Sequence, residues 1–292
     1  MKIKAEILSD NFLANLAQLK IIQSRKSTPS EMGGIHSFQS GGHADFLEHR
    51  QYQKGDDPRW IDWNIYNRLN QIAVKVFSKQ ESAENFIIID ASASMEFTEN
   101  SKALKASQIA AAISYLSLSA EDAVQLFWHN FSYHKLPKIV GKKSVITLLN
   151  TLANIQYGGV ANLTKALQEI RQKNKSGNIY IFSDFYDNEE ILHSISQMNN
   201  GRFNFTLFQI LSLKELSFPN TGFYTFQDSE TVEQSKIRVN TKLNNLYTEK
   251  IKEFTDNLKS KAQHLHCKFY QLNADATFQD SVQYLRQHLF FR

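Results

Sequence analysis

Short apolar strands alternate with helices from residue 84 to the end of this 292-residue chain. The predicted strands are residues 85–90, 123–130, 178–183, 204–210 and 267–271. Each gap between successive strands contains at least one amphipathic segment with the spacing of a helix. Such alternation is typical of a parallel sheet with helices on both faces. We therefore predict a doubly wound, mainly parallel α/β sheet.

The predicted helices of this region are residues 102–118, 144–152, 163–173, 188–198, 243–264 and 277–290. Residues 223–239 interrupt the alternation, and their pattern predicts a hairpin inserted before the long helix. Ahead of the sheet, residues 9–24 predict an amphipathic helix that Ser9 and Asp10 can cap. The strand and helix pattern therefore begins only after a separate N-terminal region.

Composition divides the chain into three parts. Residues 1–32 are a helix and a loop, and residues 84–292 are the sheet domain with the hairpin near 222–240. The block between them, residues 33–83, holds five of the eleven glycines and two of the three tryptophans. We predict that this Gly/Asp/Arg-rich block is an extension packed on the sheet domain.

Charge and cysteine content limit the class of protein. The net charge is +4 and is spread along the chain, whereas nucleic-acid binders usually cluster their basic residues. The aromatic residues Trp60, Trp63 and Tyr66 keep a nucleic-acid alternative open, but their apolar context favours packing. Cys267 is the single cysteine, so the chain cannot form an internal disulfide. No stretch reaches the roughly 20 apolar residues of a membrane span, and the N-terminus lacks a signal-peptide pattern. We expect a soluble, cytoplasmic protein.

Two of the predicted strands lead to acids: Asp90 is the last residue of one, and Asp184 follows another. Ligands of open α/β sheets bind beyond the carboxyl ends of the strands, so these positions are candidate site residues. Ser92 and Ser94 follow Asp90 at alternate positions and would present two hydroxyls at the same edge. Mg²⁺ prefers oxygen ligands and retains several waters, which suits such a group. The simpler alternative is that Asp90 and Ser92 only cap the loop and helix that follow.

The Asp-x-Ser-x-Ser pattern of residues 90–94 resembles the metal-ion-dependent adhesion site of von Willebrand factor A-like domains. The resemblance implies that Asp184 supplies the second acid and that the cation takes a further carboxylate oxygen from a partner protein. It also implies a threonine from the glycine-rich loop, but Ala161 occupies that position. We therefore expect Mg²⁺ or another divalent cation to bind weakly or not at all, unless Asn162 or Thr164 compensates through a shifted loop.

The block at residues 33–83 interleaves acids and bases, which is typical of a structural salt-bridge network. The predicted network joins three bases to four acids: Arg50, Arg59 and Arg68 to Asp45, Asp56, Asp57 and Asp62. Two tryptophans and an isoleucine within four residues also predict partial burial, because each large apolar side chain gains roughly 1.5 to 3 kcal/mol on burial. These residues are Trp60, Ile61 and Trp63.

A metal-dependent hydrolase or phosphoesterase is the enzymatic alternative for this block. The residues that could form its metal cluster are His36, His43, Asp45 and His49, with Asp56 and Asp57 nearby. Their spacings match no standard metal-binding pattern. The chain has neither a Gly-x-Ser-x-Gly nucleophile turn nor a phosphate loop ending in Gly-Lys-Ser/Thr. We therefore predict no catalytic residues and a non-enzymatic protein.

The same block is similar to the signature of a bacterial family called domain of unknown function 58. The similarity lies in Arg-x-Tyr-x-x-Gly-Asp-Asp-x-Arg-x-Ile-Asp-Trp, which runs from Arg50 to Trp63, followed by Val-Lys-Val-Phe at 74–77. His43, Asp45 and Asn67 depart from the usual pattern without breaking it. The resemblance implies an adaptor or co-chaperone that works with a MoxR-type AAA+ ATPase on an unknown client.

Overall fold

The computed structural model describes residues 2–19, 45–78, 83–186, 189–199, 201–216, 222–227 and 234–288. The chain forms two compact units. Residues Met1–Ile22 and Ala83–Arg292 form the first, which we call the sheet unit. Residues Gln23–Ser82 form the second, which we call the signature unit. The N-terminal helices therefore belong with the sheet, although the signature unit separates them from it in sequence.

The strands of the described residues are β1 (Asp45–Gln51), β2 (Ala73–Ser78), β3 (Glu84–Asp90), β4 (Ala123–His129), β5 (Tyr133–Val140), β6 (Gly177–Ser183), β7 (Phe203–Leu211), β8 (Gly222–Gln227), β9 (Gln234–Val239) and β10 (Lys268–Asn273). The helices are α1 (Lys2–Ile7), α2 (Asp10–Ala17), α3 (Trp63–Leu69), α4 (Phe97–Ser119), α5 (Val145–Ala153), α6 (Thr164–Lys173), α7 (Glu189–Met198), α8 (Leu213–Leu216), α9 (Thr241–His264) and α10 (Phe278–Gln287).

The central sheet has the strand order β10-β7-β6-β3-β4-β5. Every neighbouring pair is parallel except β4 and β5, which are antiparallel. This arrangement confirms the predicted doubly wound, mainly parallel sheet and all five predicted strands. The sequence did not predict β5, in which Pro137 interrupts a weak alternation. Proline is tolerated there because β5 is an edge strand and its pairing with β4 is irregular between Leu136 and Ile139.

Strands β3, β6 and β7 are almost wholly buried because both faces of the sheet are covered. Successive side chains of a strand point to opposite faces. Ile87 and Ile89 therefore pack with the layer formed by α1, α2, α4, α5 and α10. Phe86 and Ile88 pack with the opposite layer, formed by α6, α7 and α9. The two layers hold the sheet edge, where the candidate site lies, in a fixed place.

The N-terminal helix predicted over residues 9–24 is wrong in extent. Helix α2 ends at Ala17, and α1 lies ahead of the predicted range. Ser9 caps α2, as predicted. Its hydroxyl accepts a hydrogen bond from the backbone N–H of Phe12 at 3.2 Å, which is the expected capping contact. The predicted residues beyond Leu19 lie outside the described part of the chain. The predicted hairpin is confirmed, since β8 and β9 pair antiparallel.

The signature unit contains an antiparallel pair, β1 and β2, with α3 in the connection. Two of the predicted ion pairs are present: Arg50 with Asp56 at 2.8 Å and Arg59 with Asp57 at 2.6 Å. Asp62 instead contacts His49 at 3.0 Å and Lys75 at 3.4 Å. Among the side chains that the structure describes, Arg68 makes no ion pair with Asp56, Asp57 or Asp62.

The prediction that Trp63 is partly buried is wrong, because 59% of its surface is exposed. Asp62 caps α3 through the backbone N–H of Asn64, which places Trp63 in the first turn. Its ring packs edge-on against Tyr66, three residues on, with ring centres 6.1 Å apart. Trp60 and Ile61 are partly buried, as predicted.

Candidate functional site

The four predicted site residues line a single cleft at the carboxyl edge of the sheet. Asp90 is the last residue of β3, and Asp184 follows β6, the strand that pairs with it. Ser92 lies in the turn after Asp90, and Ser94 lies in the short 3₁₀ helix Ala93–Glu96 that follows. The cleft has a volume of about 410 Å³ and is lined by all four residues together with residues 160–164 and Glu190. It lies where the strand order reverses direction, which is the usual ligand position in such sheets.

Asp90 is buried, and three donors satisfy its carboxylate. Oδ1 accepts from the backbone N–H of Ser92 at 2.9 Å and from the Ser92 hydroxyl at 2.6 Å. Oδ2 accepts from the hydroxyl of Ser183, the last residue of β6, at 2.6 Å. The carboxylate therefore fixes the Ser92 side chain and joins the ends of the two central strands.

Burial and the nearby Asp184 carboxylate raise the pKa of Asp90 to about 6. Burial is the larger cause, and the hydrogen bonds from Ser183 and Ser92 oppose the increase. Two neighbouring acids that are removed from water repel each other, and a bound cation would relieve that repulsion. The electrostatics of the cleft therefore favour a positively charged ligand.

The spacing of the two hydroxyls fits a small divalent cation. The oxygens of Ser92 and Ser94 are 3.0 Å apart. Two ligands at right angles, each about 2.1 Å from Mg²⁺, would lie about 3.0 Å from each other. Because the Ser92 proton is donated to Asp90, a lone pair of its oxygen remains free to accept. The residues present thus fit a divalent cation, with two hydroxyls as ligands and two carboxylates behind them.

The glycine-rich loop approaches the same cleft but contributes no side-chain oxygen at the position of Ala161. The loop is tied to the turn after β3 by two backbone bonds, from the Gly158 N–H to the Ala91 carbonyl at 2.8 Å and from the Ala93 N–H to the Gly159 carbonyl at 2.9 Å. These bonds hold the loop backbone in place. They oppose the loop shift by which Asn162 or Thr164 would replace the missing threonine.

Asn162 and Thr164, the two residues considered as replacements for the threonine, also line the cleft. The Thr164 hydroxyl donates to the Asn162 side-chain oxygen at 2.6 Å, so each is engaged by the other. The Thr164 hydroxyl gives its proton to Asn162 but keeps lone pairs that can accept, as the Ser92 hydroxyl does. Compensation for the missing threonine by either residue therefore stays a prediction.

Lys102 of α4 is a site residue that the sequence analysis did not identify. Its side chain is fully buried, and its ammonium donates to Asp184 Oδ2 at 3.0 Å and to Glu215 Oε1 at 2.7 Å. Glu215 is held in turn by the backbone N–H and hydroxyl of Ser212, at 2.8 Å and 2.9 Å. The available signal was the position of Lys102 in a helix that is otherwise rich in alanine.

Exposed apolar side chains stand beside the cleft. Phe131 is 79% exposed and Val160 is 61% exposed. The Phe131 ring lies so close to the loop that a Cβ at Gly158 or Gly159 would be within 2.8 Å of it. Tyr186, which lines the cleft, is 45% exposed and stacks on Phe254 with ring centres 5.6 Å apart. These side chains form an apolar rim beside the polar cleft.

The sheet with its strand-end cleft defines a doubly wound α/β domain with a candidate binding site at its carboxyl edge. Residues 48–256 match the family described as "Protein of unknown function DUF58", and the chain belongs to this family. No helix in the described ranges is long and apolar enough to cross a membrane.

The chain is similar to an uncharacterized protein of Mycobacterium bovis, with 25% identity over 191 residues. That match covers 63% of this chain and 60% of the relative, so the chain spans only part of the relative's length. Among solved structures, BatB from Bacteroides thetaiotaomicron aligns with 10% identity and a TM-score of 0.42 over 71% of this chain and 98% of that one. The VWA domain of SpRpn10 aligns with 10% identity and a TM-score of 0.39 over 70% of this chain and 95% of that one.

Proposed function

We propose that this protein is a non-enzymatic interaction module that binds an acidic group of a partner protein through a divalent cation. The observation that carries the proposal is the convergence of Asp90, Ser92, Ser94 and Asp184 in one cleft. The family resemblance adds a MoxR-type AAA+ ATPase as the partner and an adaptor or co-chaperone role.

The residues divide into two roles toward the cation. Ser92 and Ser94 supply hydroxyl oxygens, and Asp90 holds the Ser92 hydroxyl in place through the 2.6 Å bond. Asp90 and Asp184 balance the charge of the ion and orient its water ligands. When bound, the ion attracts a carboxylate oxygen of the partner, because the two neutral hydroxyls leave it short of anionic ligands.

The apolar rim supports a protein as the partner rather than a small ion alone. Exposed apolar side chains around a polar centre are typical of protein–protein interaction sites. Phe131 and Val160 would pack against the partner's surface around the acidic residue that enters the cleft. Aromatic side chains held in place are well suited to this role because little conformational entropy is lost on binding.

Contacts in the signature unit favour a structural role over the hydrolase alternative. Hydrogen bonds from the Gln53 backbone N–H and from Arg50 hold the pKa of the Asp56 carboxyl below its usual range. Hydrogen bonds from Arg59 do the same for the pKa of Asp57. His36 and His43 lie outside the described residues. Over the described ranges, no three His, Cys, Asp or Glu side chains converge as a metal cluster.

Affinity capture with the tagged protein tests the proposed function. In Mg²⁺, wild type is expected to retain a partner that EDTA releases, whereas Asp90→Ala loses at least about tenfold in affinity, or roughly 1.4 kcal/mol. Phe131→Ser should weaken capture while leaving divalent-ion binding unchanged, since its ring contacts the loop and not the cleft oxygens.

The matched control is Asp256→Ala, which removes an exposed acid from α9 and should behave as wild type. A folded Asp90→Ala protein that captures the same partner with wild-type affinity, in Mg²⁺ and in EDTA alike, contradicts the proposed function.

A further inference from the structure

The Lys102 ammonium lies beside one of the two carboxylates that would balance the charge of a divalent cation. The Lys102 ammonium is 3.0 Å from Asp184 Oδ2, and its side chain is fully buried. A buried ammonium cannot be screened by water, so it strongly affects the charge of its neighbours. Asp184 is therefore partly neutralised from the protein side before any metal ion arrives.

We propose that Lys102 is the resident counter-cation of this site and sets its affinity for divalent metal. A metal ion and the Lys102 ammonium compete for the Asp184 carboxylate. The ion interacts with the full negative charge of Asp184 only when the ammonium has moved away. The inference rests on the proposed metal site and extends it, since it assigns the control of metal affinity to a residue outside the metal ligands. The missing oxygen at Ala161 then lowers the affinity further by a separate cause.

Glu215 makes it easier for Lys102 to release Asp184 when a metal ion binds. The ammonium is closer to Glu215, at 2.7 Å, than to Asp184, at 3.0 Å. Ser212 fixes the other oxygen of Glu215 through two hydrogen bonds. Lys102 can therefore give up Asp184 and remain paired with Glu215. Without the charge of Glu215, the ammonium would turn wholly to Asp184 and compete more strongly with the ion.

Two substitutions should thus change metal affinity in opposite directions. Lys102→Met removes the competing charge with a side chain of similar length, and we expect Mn²⁺ to bind at least about tenfold more tightly. Glu215→Gln keeps the shape of the side chain but removes its charge, and we expect Mn²⁺ to bind several-fold more weakly. A merely structural effect would move both variants in the same direction, because both break the same buried contact.

Calorimetric titration of the full chain with Mn²⁺ measures these affinities. The control is Lys105→Met, which removes a second buried lysine one turn further along α4. The Lys105 ammonium donates to the carbonyls of Ala276 and Thr277 and to the Ser281 hydroxyl, so its loss should leave Mn²⁺ affinity unchanged. If Lys102→Met does not fold, the weaker binding expected for Glu215→Gln still tests the inference.

Equal Mn²⁺ affinity in wild type, Lys102→Met and Glu215→Gln overturns the inference while leaving the proposed metal site intact. Weaker binding in Lys102→Met also overturns it. If wild type binds no Mn²⁺ but Lys102→Met does, the inference is supported and the metal-dependent part of the proposed function fails for the natural protein. The two proposals can therefore fail separately.

Discussion

Lys102→Met is expected to lower the free energy of unfolding of the metal-free protein by about 3 to 5 kcal/mol, since removal of one partner from a buried ion pair leaves uncompensated charge. The substitution would leave Asp184 and Glu215 next to each other, with side chains only 5% and 11% exposed. No other base is within ion-pair distance of either acid in the described part of the chain. Denaturation in guanidinium chloride with EDTA, near neutral pH, measures the loss.

Lys105→Met provides the comparison, because that lysine is equally buried but donates only to neutral oxygens. Burial lowers the pKa of Lys105 to about 8, so its charge is already costly to keep. Lys105→Met should therefore lower the free energy of unfolding by less than Lys102→Met does. Equal losses of unfolding free energy in the two variants would show that Lys102 does not stabilise the buried charges of Asp184 and Glu215.

Asp90→Asn is expected to stabilise the metal-free protein near neutral pH. The folded-state pKa of Asp90 is raised from 3.8 to about 6, so the folded protein binds the proton more tightly than the unfolded chain. The wild type therefore loses stability as pH rises from about 4 through about 6, and the asparagine variant does not. A shift of about two pKa units corresponds to roughly 3 kcal/mol at neutral pH, with no difference expected below pH 4.

Thermal melting in EDTA between pH 4 and pH 8 measures the difference in stability between Asp90→Asn and wild type. Asp280→Asn is a control with the opposite sign, because hydrogen bonds to Thr277 hold the pKa of the Asp280 carboxyl below its usual range. That variant should lose stability near neutral pH and approach wild type in acid. An Asp90→Asn protein that melts below wild type at pH 8, where Asp90 is ionised, would contradict the raised pKa.

The strand ends could be predicted from the sequence because their signals are local. A buried parallel strand needs a continuous apolar run, and the polar residue that ends it marks the sheet edge. Asp90 and Asp184 could therefore be assigned to one edge although they are far apart in sequence. Ser183, which donates to Asp90 from 93 residues further along the chain, directly precedes Asp184. The replacement of the usual threonine by Ala161 could also be recognised in the sequence, because it depends only on a position within the glycine-rich loop.

The contacts that modify the site could not be predicted in the same way. Lys102 and Glu215 are 113 residues apart, and no local pattern links a lysine in an alanine-rich helix to an acid in α8. Likewise, the exposure of Trp63 depends on which face α3 turns outward, whereas composition indicates only that a large apolar side chain is present. Tertiary packing decides both features.

Titration with Mn²⁺ of wild type, Ala161→Thr and the double variant Ser92→Ala/Ser94→Ala tests the central claim most directly. The account predicts one weak saturable site in wild type, tighter binding in Ala161→Thr because a hydroxyl is restored to the cleft, and no binding at this site in the double variant. Unchanged Mn²⁺ binding in a folded Ser92→Ala/Ser94→Ala protein would show that the cleft between β3 and β6 is not a metal site.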